Sequence, residues 1–330
     1  MSPVARLILK EHKRNPLTGV GLVVGRQTIR LTIEEAKSMI LEEGIELRNV
    51  ESKIDIDTRG GSYGNYISDS SFFALFSDIE LHYLDVTDYE NADIIHNLEN
   101  PPPEELLNRF DFIWNGSCLD NIFDSGSAQK NTCKMLKQRG GRIMTMEIAS
   151  PDFEAYSMFS QAWFFDYYAI NNFAKFESYT CVFSQANIWT GPYKIYCSSD
   201  YISASSLFPK SISKSKAILT ITIAQSQIGT DTSKTPVQHQ YRPDHEPYLK
   251  AYQEFATQEK LLKLGSKNRA KPADKGFVYI GKLKGVTRGV SSGVNSKRRY
   301  QIKRISRAML NPSHSLRKML LRLSLRKGIR

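Results

Sequence analysis

Four cysteines in 330 residues, none of them in a CxxC pair, give no basis for a disulfide scaffold or a zinc cluster. Cys118, Cys133, Cys181 and Cys197 read as buried or bystander thiols of a chain kept in a reducing compartment. No run approaches the roughly 18–20 unbroken apolar residues of a membrane-spanning helix. The opening MSPVARLILKEHKRN lacks the long apolar stretch and cleavage site of a secretory leader, so a cytoplasmic protein is expected. The six histidines are scattered, and no metal site is expected. No G-x-S-x-G elbow occurs and no histidine lies near a candidate Ser or Cys nucleophile, which argues against hydrolase chemistry. The chain also lacks a full GxGxxG and a Tyr-x-x-x-Lys pair, which disfavours a dinucleotide-dependent oxidoreductase.

Acid is missing from one end of the chain. The net charge of +11 combines two opposed parts. Residues 1–259 hold 24 Lys/Arg against 33 Asp/Glu, whereas residues 260–330 hold 21 against the single Asp274. An acidic body therefore carries a strongly basic extension, and the two need separate explanations.

The body alternates short apolar runs with amphipathic stretches, the pattern of a mostly parallel sheet covered on both faces. Val20–Val24 reads as a buried strand closed by Gly25. Thr32 with Glu35 forms a capping-box signature for a helix ending at Gly44. Further strands are expected at 81–86, 92–96, 110–114 and 142–148, with helices at 70–76, 129–137 and 161–171 between them. The later strands, 175–183, 193–197 and 217–224, alternate more and read as antiparallel. The expectation is a doubly wound, mostly parallel, seven-stranded α/β sheet.

Such a sheet takes its ligand beyond the carboxyl ends of its strands. Gly25 after the first strand permits a tight turn and close approach of the backbone to a ligand. Asp85 ends the next strand, where an acid can accept both hydroxyls of a ribose. Asn97 can offer an amide to an adenine edge or serve as a plain turn residue. The run Asn115-Gly116-Ser117-Cys118-Leu119-Asp120-Asn121 leaves open space after a strand and sets carboxylate and amide groups around it. Asp120 is a candidate for taking an acceptor proton, and Asp124 reads as a helix cap. The aromatic run Trp163, Phe164, Phe165, Tyr167 and Tyr168 reads as packing against the sheet, with Trp163 and Tyr167 partly exposed.

The segments HYLDVTDYENADIIHNLENPPPEELLNRFDFIWNGSCLDNIFD, KMLKQRGGRIMTMEI and FSQAWFFDYYAINNF, in this order, resemble class I S-adenosylmethionine-dependent methyltransferases. They look closest to a bacterial group often associated with surface-polysaccharide and secondary-metabolite loci. The resemblance spans roughly residues 18–185. It implies that Gly25 and Gln27 line the methionine part of S-adenosyl-L-methionine, that Asp85 holds the ribose, and that Asn97 stands near the adenine. It further implies that Asn115, Gly116 and Ser117 pass beneath the sulfonium, and that Asp120 and Asn121 border the acceptor site. This chain departs from the pattern in its single clear first-loop glycine, in Asn97 where an acid is usual, and in a turn without Glu-His. The activity implied is methyl transfer to a small-molecule or glycan hydroxyl or amine; a catalytically weak scaffold of the same fold is the alternative.

The domain plan that follows is a lead at 1–17, the methyltransferase-like domain at 18–259, a Gly/Ser/Lys-rich linker at 260–296 and a basic amphipathic tail at 297–330. The tail carries 12 Lys/Arg and no acid, with Ile302, Ile305, Met309 and then Leu316, Met319, Leu320, Leu323 at helical spacing. That composition suits an anionic membrane surface, which would place the protein peripherally at an inner membrane face. With Tyr300 its one aromatic residue, the tail has little to stack on bases, and nucleic acid is the disfavoured partner.

Overall fold

The computed structural model describes residues 2–151, 155–198, 217–238, 241–258, 261, 272–274 and 277–286. The basic tail at 297–330 lies outside them. The strands are β1 (Val20–Val24), β2 (Glu80–Asp85), β3 (Ile94–Ile95), β4 (Phe112–Gly116), β5 (Arg142–Ile148), β6 (Lys175–Phe183), β7 (Tyr193–Ser198), β8 (Ala217–Gln225), β9 (Pro272–Asp274) and β10 (Phe277–Leu283). The helices are α1 (Ser2–Arg14), α2 (Ile33–Glu42), α3 (Asp69–Ala74), α4 (Ser125–Met135), α5 (Gln161–Ile170) and α6 (Glu246–Thr257).

All described strands join one sheet in the order β3-β2-β1-β4-β5-β8-β6-β7-β10-β9. The pairs from β3 to β5 are parallel. From β5 onward every pair is antiparallel, and β8 lies between β5 and β6. The seven-stranded expectation is corrected to ten, and parallel pairing is confined to the first half. Two of the added strands, β9 and β10, come from the stretch read as a linker: Ile280 and Leu283 are buried, and β10 pairs with β7 along its length.

Side-chain alternation separates two apolar layers. Val23, Phe112, Trp114, Met144 and Met146 face α1, α2 and α3. Leu22, Val24, Ile113 and Ile143 face α4, α5 and α6. Both faces of the sheet are thus covered by helices. Among the described residues no helix is long and apolar enough to cross a membrane.

Residues read as a lead form α1, whose Val4, Leu7, Ile8 and Leu9 are buried in the first layer. Glu11 in the same helix is fully buried because Arg142 of β5 and Arg14 pair with it, at 2.7 and 2.6 Å. The expected capping box forms on α2, and Asp124 caps α4 through the Ser127 amide. The α5 aromatics pack as core; Trp163 is half-buried. Tyr167 is buried rather than partly exposed, because its hydroxyl donates to the Thr232 carbonyl.

Candidate functional site

Strand order reverses between β1 and β4, where β2 and β3 lie to one side and β5 to the other. A crevice opens beyond the carboxyl ends of strands at such a point. The loops after β1, β2 and β4 border it.

Gly25 leaves β1 with φ +63°, a left-handed conformation that favours glycine, and its amide donates to the Leu84 carbonyl at 2.9 Å. A Cβ there would lie 3.8 Å from the Cys118 Sγ, so the β1 and β4 loops face each other in van der Waals contact. Gly116 is required for a different reason. A Cβ on it would fall 2.5 Å from the Cγ of Gln27, whose side chain lies over the end of β4. Gly25 thus lies against the β4 loop, and Gly116 against Gln27.

Asn115 is buried, and its Oδ1 accepts the Cys118 amide at 3.0 Å. Its Nδ2 has no hydrogen-bond partner among the described residues, although buried polar groups almost always have one. Ser117 follows at φ +75°, unusual for a residue with a side chain. Asp85 is the last residue of β2 and half-buried. One of its carboxylate oxygens accepts the Val86 amide at 2.6 Å, and Oδ2 accepts nothing among the described residues.

Two expected residues are used differently. The Asn97 Oδ1 accepts the Glu99 amide at 3.0 Å, so its side chain folds into its own turn. Asp120, expected to face an acceptor, is buried at 1 % exposure. Its carboxylate accepts the Ser117 hydroxyl at 3.0 Å and the Asn121 amide at 2.8 Å. Asn121 itself is exposed on the rim. Burial raises the Asp120 carboxyl above the ordinary range, with the Ser117 bond opposing.

Sequence reasoning missed Arg26. It is buried beside Gly25 and pairs bidentately with Asp69 of α3, at 3.1 and 2.6 Å, and with Asp57 at 2.9 Å. It also stacks over the Tyr83 ring of β2, 4.1 Å from its centroid. Burial works against its charge, but Asp69 outweighs that and raises its pKa. Asp69 is pushed up by burial, with Arg26 opposing. The segment 55–61 packs on the same loop: Thr28 and Thr58 hydroxyls meet at 2.6 Å, and a Cβ on Gly60 would collide with Thr28. The glycines of Arg59-Gly60-Gly61-Ser62-Tyr63-Gly64 were the available signal. Cys118 is a poor nucleophile, its thiol pushed up by burial and by Glu147, Asp85 and Asp120.

Among the described residues no group of three or more His, Cys, Asp or Glu could hold a metal ion. A cavity of about 240 Å³ lies elsewhere, lined by residues such as Asn108, Gln138 and Ser226 at the opposite end of the strands.

No family model and no curated protein matches the chain. Among solved structures it is similar to Haemonchus contortus phosphoethanolamine N-methyltransferase 2 in complex with S-adenosyl-L-methionine. The TM-score is 0.35 at 10% identity, covering 67% of this chain and 52% of that one. A Thermotoga maritima S-adenosylmethionine-dependent methyltransferase, possible histamine N-methyltransferase, gives 0.32 at 11% identity, covering 68% and 89%. The Thermus thermophilus branched-chain polyamine synthase, solved with N4-aminopropylspermidine and 5'-methylthioadenosine, gives 0.33 at 12%, covering 71% and 59%. The chain spans about half the length of the first of these.

Proposed function

We propose that the chain is an S-adenosyl-L-methionine-dependent methyltransferase acting on a small-molecule or glycan hydroxyl or amine. The observation that carries this reading is the sheet order, with antiparallel β8 wedged between β5 and β6. That is the strand arrangement of the class I methyltransferases the sequence resembles. The crevice chemistry agrees: the unpartnered Asn115 Nδ2, the side-chain-free Gly116 and the available Asp85 oxygen suit a nucleoside with a charged tail.

In this reading Asp85 accepts ribose hydroxyls, while Gly25, Gln27, Asn115, Gly116 and Ser117 line the methionine end and Asn97 stays near the base. When bound, the group supplies an activated methyl on a sulfonium. The protein's part is placement: the acceptor atom must sit in line with the carbon–sulfur bond, and excluding water from the crevice prevents side reactions. Asn121 on the rim is the residue that would touch the acceptor. Asp120, being buried, holds the turn that presents it. The basic segment 297–330 would meet an anionic membrane surface on its charge pattern.

Burial of Asp120 and the closeness of Gln27 to Gly116 favour a second reading, in which the crevice binds a nucleoside but does not turn it over. A screen of hydroxyl and amine acceptors, nucleotide sugars and glycolipids included, separates the two. Release of S-adenosylhomocysteine that depends on one acceptor class is the expected outcome. Cofactor binding with no release for any acceptor would favour the scaffold.

A further inference from the structure

Residues 55–61 lie between α2 and α3 and are fastened to both loops on the β1–β2 side of the crevice. The Thr58 hydroxyl meets that of Thr28, in the loop after β1, at 2.6 Å. Asp57 holds the Arg26 guanidinium of the same loop at 2.9 Å. In the turn after β2, the Glu90 Oε1 accepts the Arg59 amide at 2.5 Å, and the Glu90 carbonyl accepts Arg26 at 3.1 Å. Inside the segment, Asp55 accepts the Thr58 amide at 2.9 Å and the Asp57 amide at 3.2 Å, and the Thr58 hydroxyl as well. The backbone of Arg59 is thereby fixed where the β1 loop and the β2 turn meet.

Its side chain is used by nothing in the fold. Arg59 is exposed, and among the described residues its guanidinium has no hydrogen bond and no ion pair. The neighbouring acids are engaged elsewhere: Asp57 by Arg26, Asp55 by Thr58, and the Glu90 Oε1 by the Arg59 amide. Residues 25–30, 55–61, 86–93 and 115–124 contain three Lys/Arg, namely Arg26, Arg30 and Arg59. Arg26 is held by Asp69 and Asp57, and Arg30 lies over the Trp189 ring, 3.7 Å from its centroid. Of these three, only Arg59 is left to meet an anion. Acids outnumber cations in the same loops, which also hold Asp88, Glu90, Asp93, Asp120 and Asp124.

S-adenosyl-L-methionine brings a negative charge of its own, the carboxylate of its amino-acid end. In surroundings this acidic such a group needs a cation, and an arginine offers two parallel N–H donors that match two carboxylate oxygens. We infer that Arg59 binds this carboxylate, so that residues 55–61 form part of the cofactor site. The contact rests on the cofactor reading above. It adds a residue that lies outside every segment through which the sequence resembles the methyltransferases.

S-adenosylhomocysteine and 5'-methylthioadenosine isolate the contact, since both carry the nucleoside and the sulfur but only the first has the amino-acid end. The ammonium of that end would gain from loss of an arginine, so a loss of affinity identifies the carboxylate. Each compound is titrated calorimetrically into the full chain as wild type, Arg59→Gln and Arg59→Lys. Arg59→Gln should weaken S-adenosylhomocysteine by about tenfold or more, the scale of a hydrogen bond between charged groups, and 5'-methylthioadenosine by less than about twofold. Arg59→Lys keeps the charge without the fork and should fall between wild type and glutamine. Equal losses for both compounds would mean that Arg59 acts on the nucleoside, by way of Asp85, and would overturn the carboxylate contact. Unchanged S-adenosylhomocysteine affinity in Arg59→Gln, with wild type binding, would overturn it too. Wild type that binds neither compound at roughly millimolar concentration would defeat the cofactor reading itself, and the Arg59 contact with it.

Discussion

Arg26→Ala is expected to destabilise the protein by about 3–5 kcal/mol, the usual cost of leaving one partner of a buried ion pair uncompensated. Asp69 is 2 % exposed, and in the intact protein both of its oxygens meet the Arg26 guanidinium. Losing the arginine also removes the contact with Asp57 and the stack on Tyr83, so the first loop, the 55–61 segment and α3 all loosen. Arg26→Lys keeps the charge but not the two-pronged geometry, and should fall between wild type and alanine. Urea unfolding of the three proteins measures the series. A loss below about 1 kcal/mol for alanine would mean that the pair is screened like a surface pair.

The second large effect is on binding. Asp85→Ala should weaken S-adenosyl-L-methionine binding by at least about tenfold while leaving the fold intact, since bonds to a charged group contribute about 1.5–3 kcal/mol. The carboxylate ends β2, is half-buried, and has one oxygen already held by the Val86 amide, which fixes its direction. Its stability role is small by comparison, because no arginine or lysine pairs with it among the described residues. Equilibrium binding on a folded Asp85→Ala protein gives the answer, and unchanged affinity would remove Asp85 from the site.

The sequence made the molecule readable where the signal is local. The run at 20–24 and the stretches 142–148 and 175–183 form strands at the bounds expected, because continuous apolar or alternating patterns there admit few other structures. Thr32 and Glu35 likewise announced α2. What escaped depends on partners far along the chain. In α1, Glu11 and the basic residues mask an apolar face whose charges are satisfied by Arg142, 131 positions away. Asp120 invited a catalytic role because Glu147, which holds it down from β5, cannot be seen from its own turn. Arg26 carries no local signal, because its partner Asp69 comes from α3, 43 positions along the chain. The composition of 260–296 suggested a linker, yet Ile280 and Leu283 suffice to seat β10 against β7.

The proposed methyltransferase function requires S-adenosyl-L-methionine to bind at the carboxyl ends of β1, β2 and β4. Calorimetric titration of the cofactor into the full chain tests it without knowledge of any acceptor. Saturable one-to-one binding is expected, with a dissociation constant of roughly micromolar order, about −8 kcal/mol. No heat and no saturation at ligand concentrations of roughly a millimolar would contradict it.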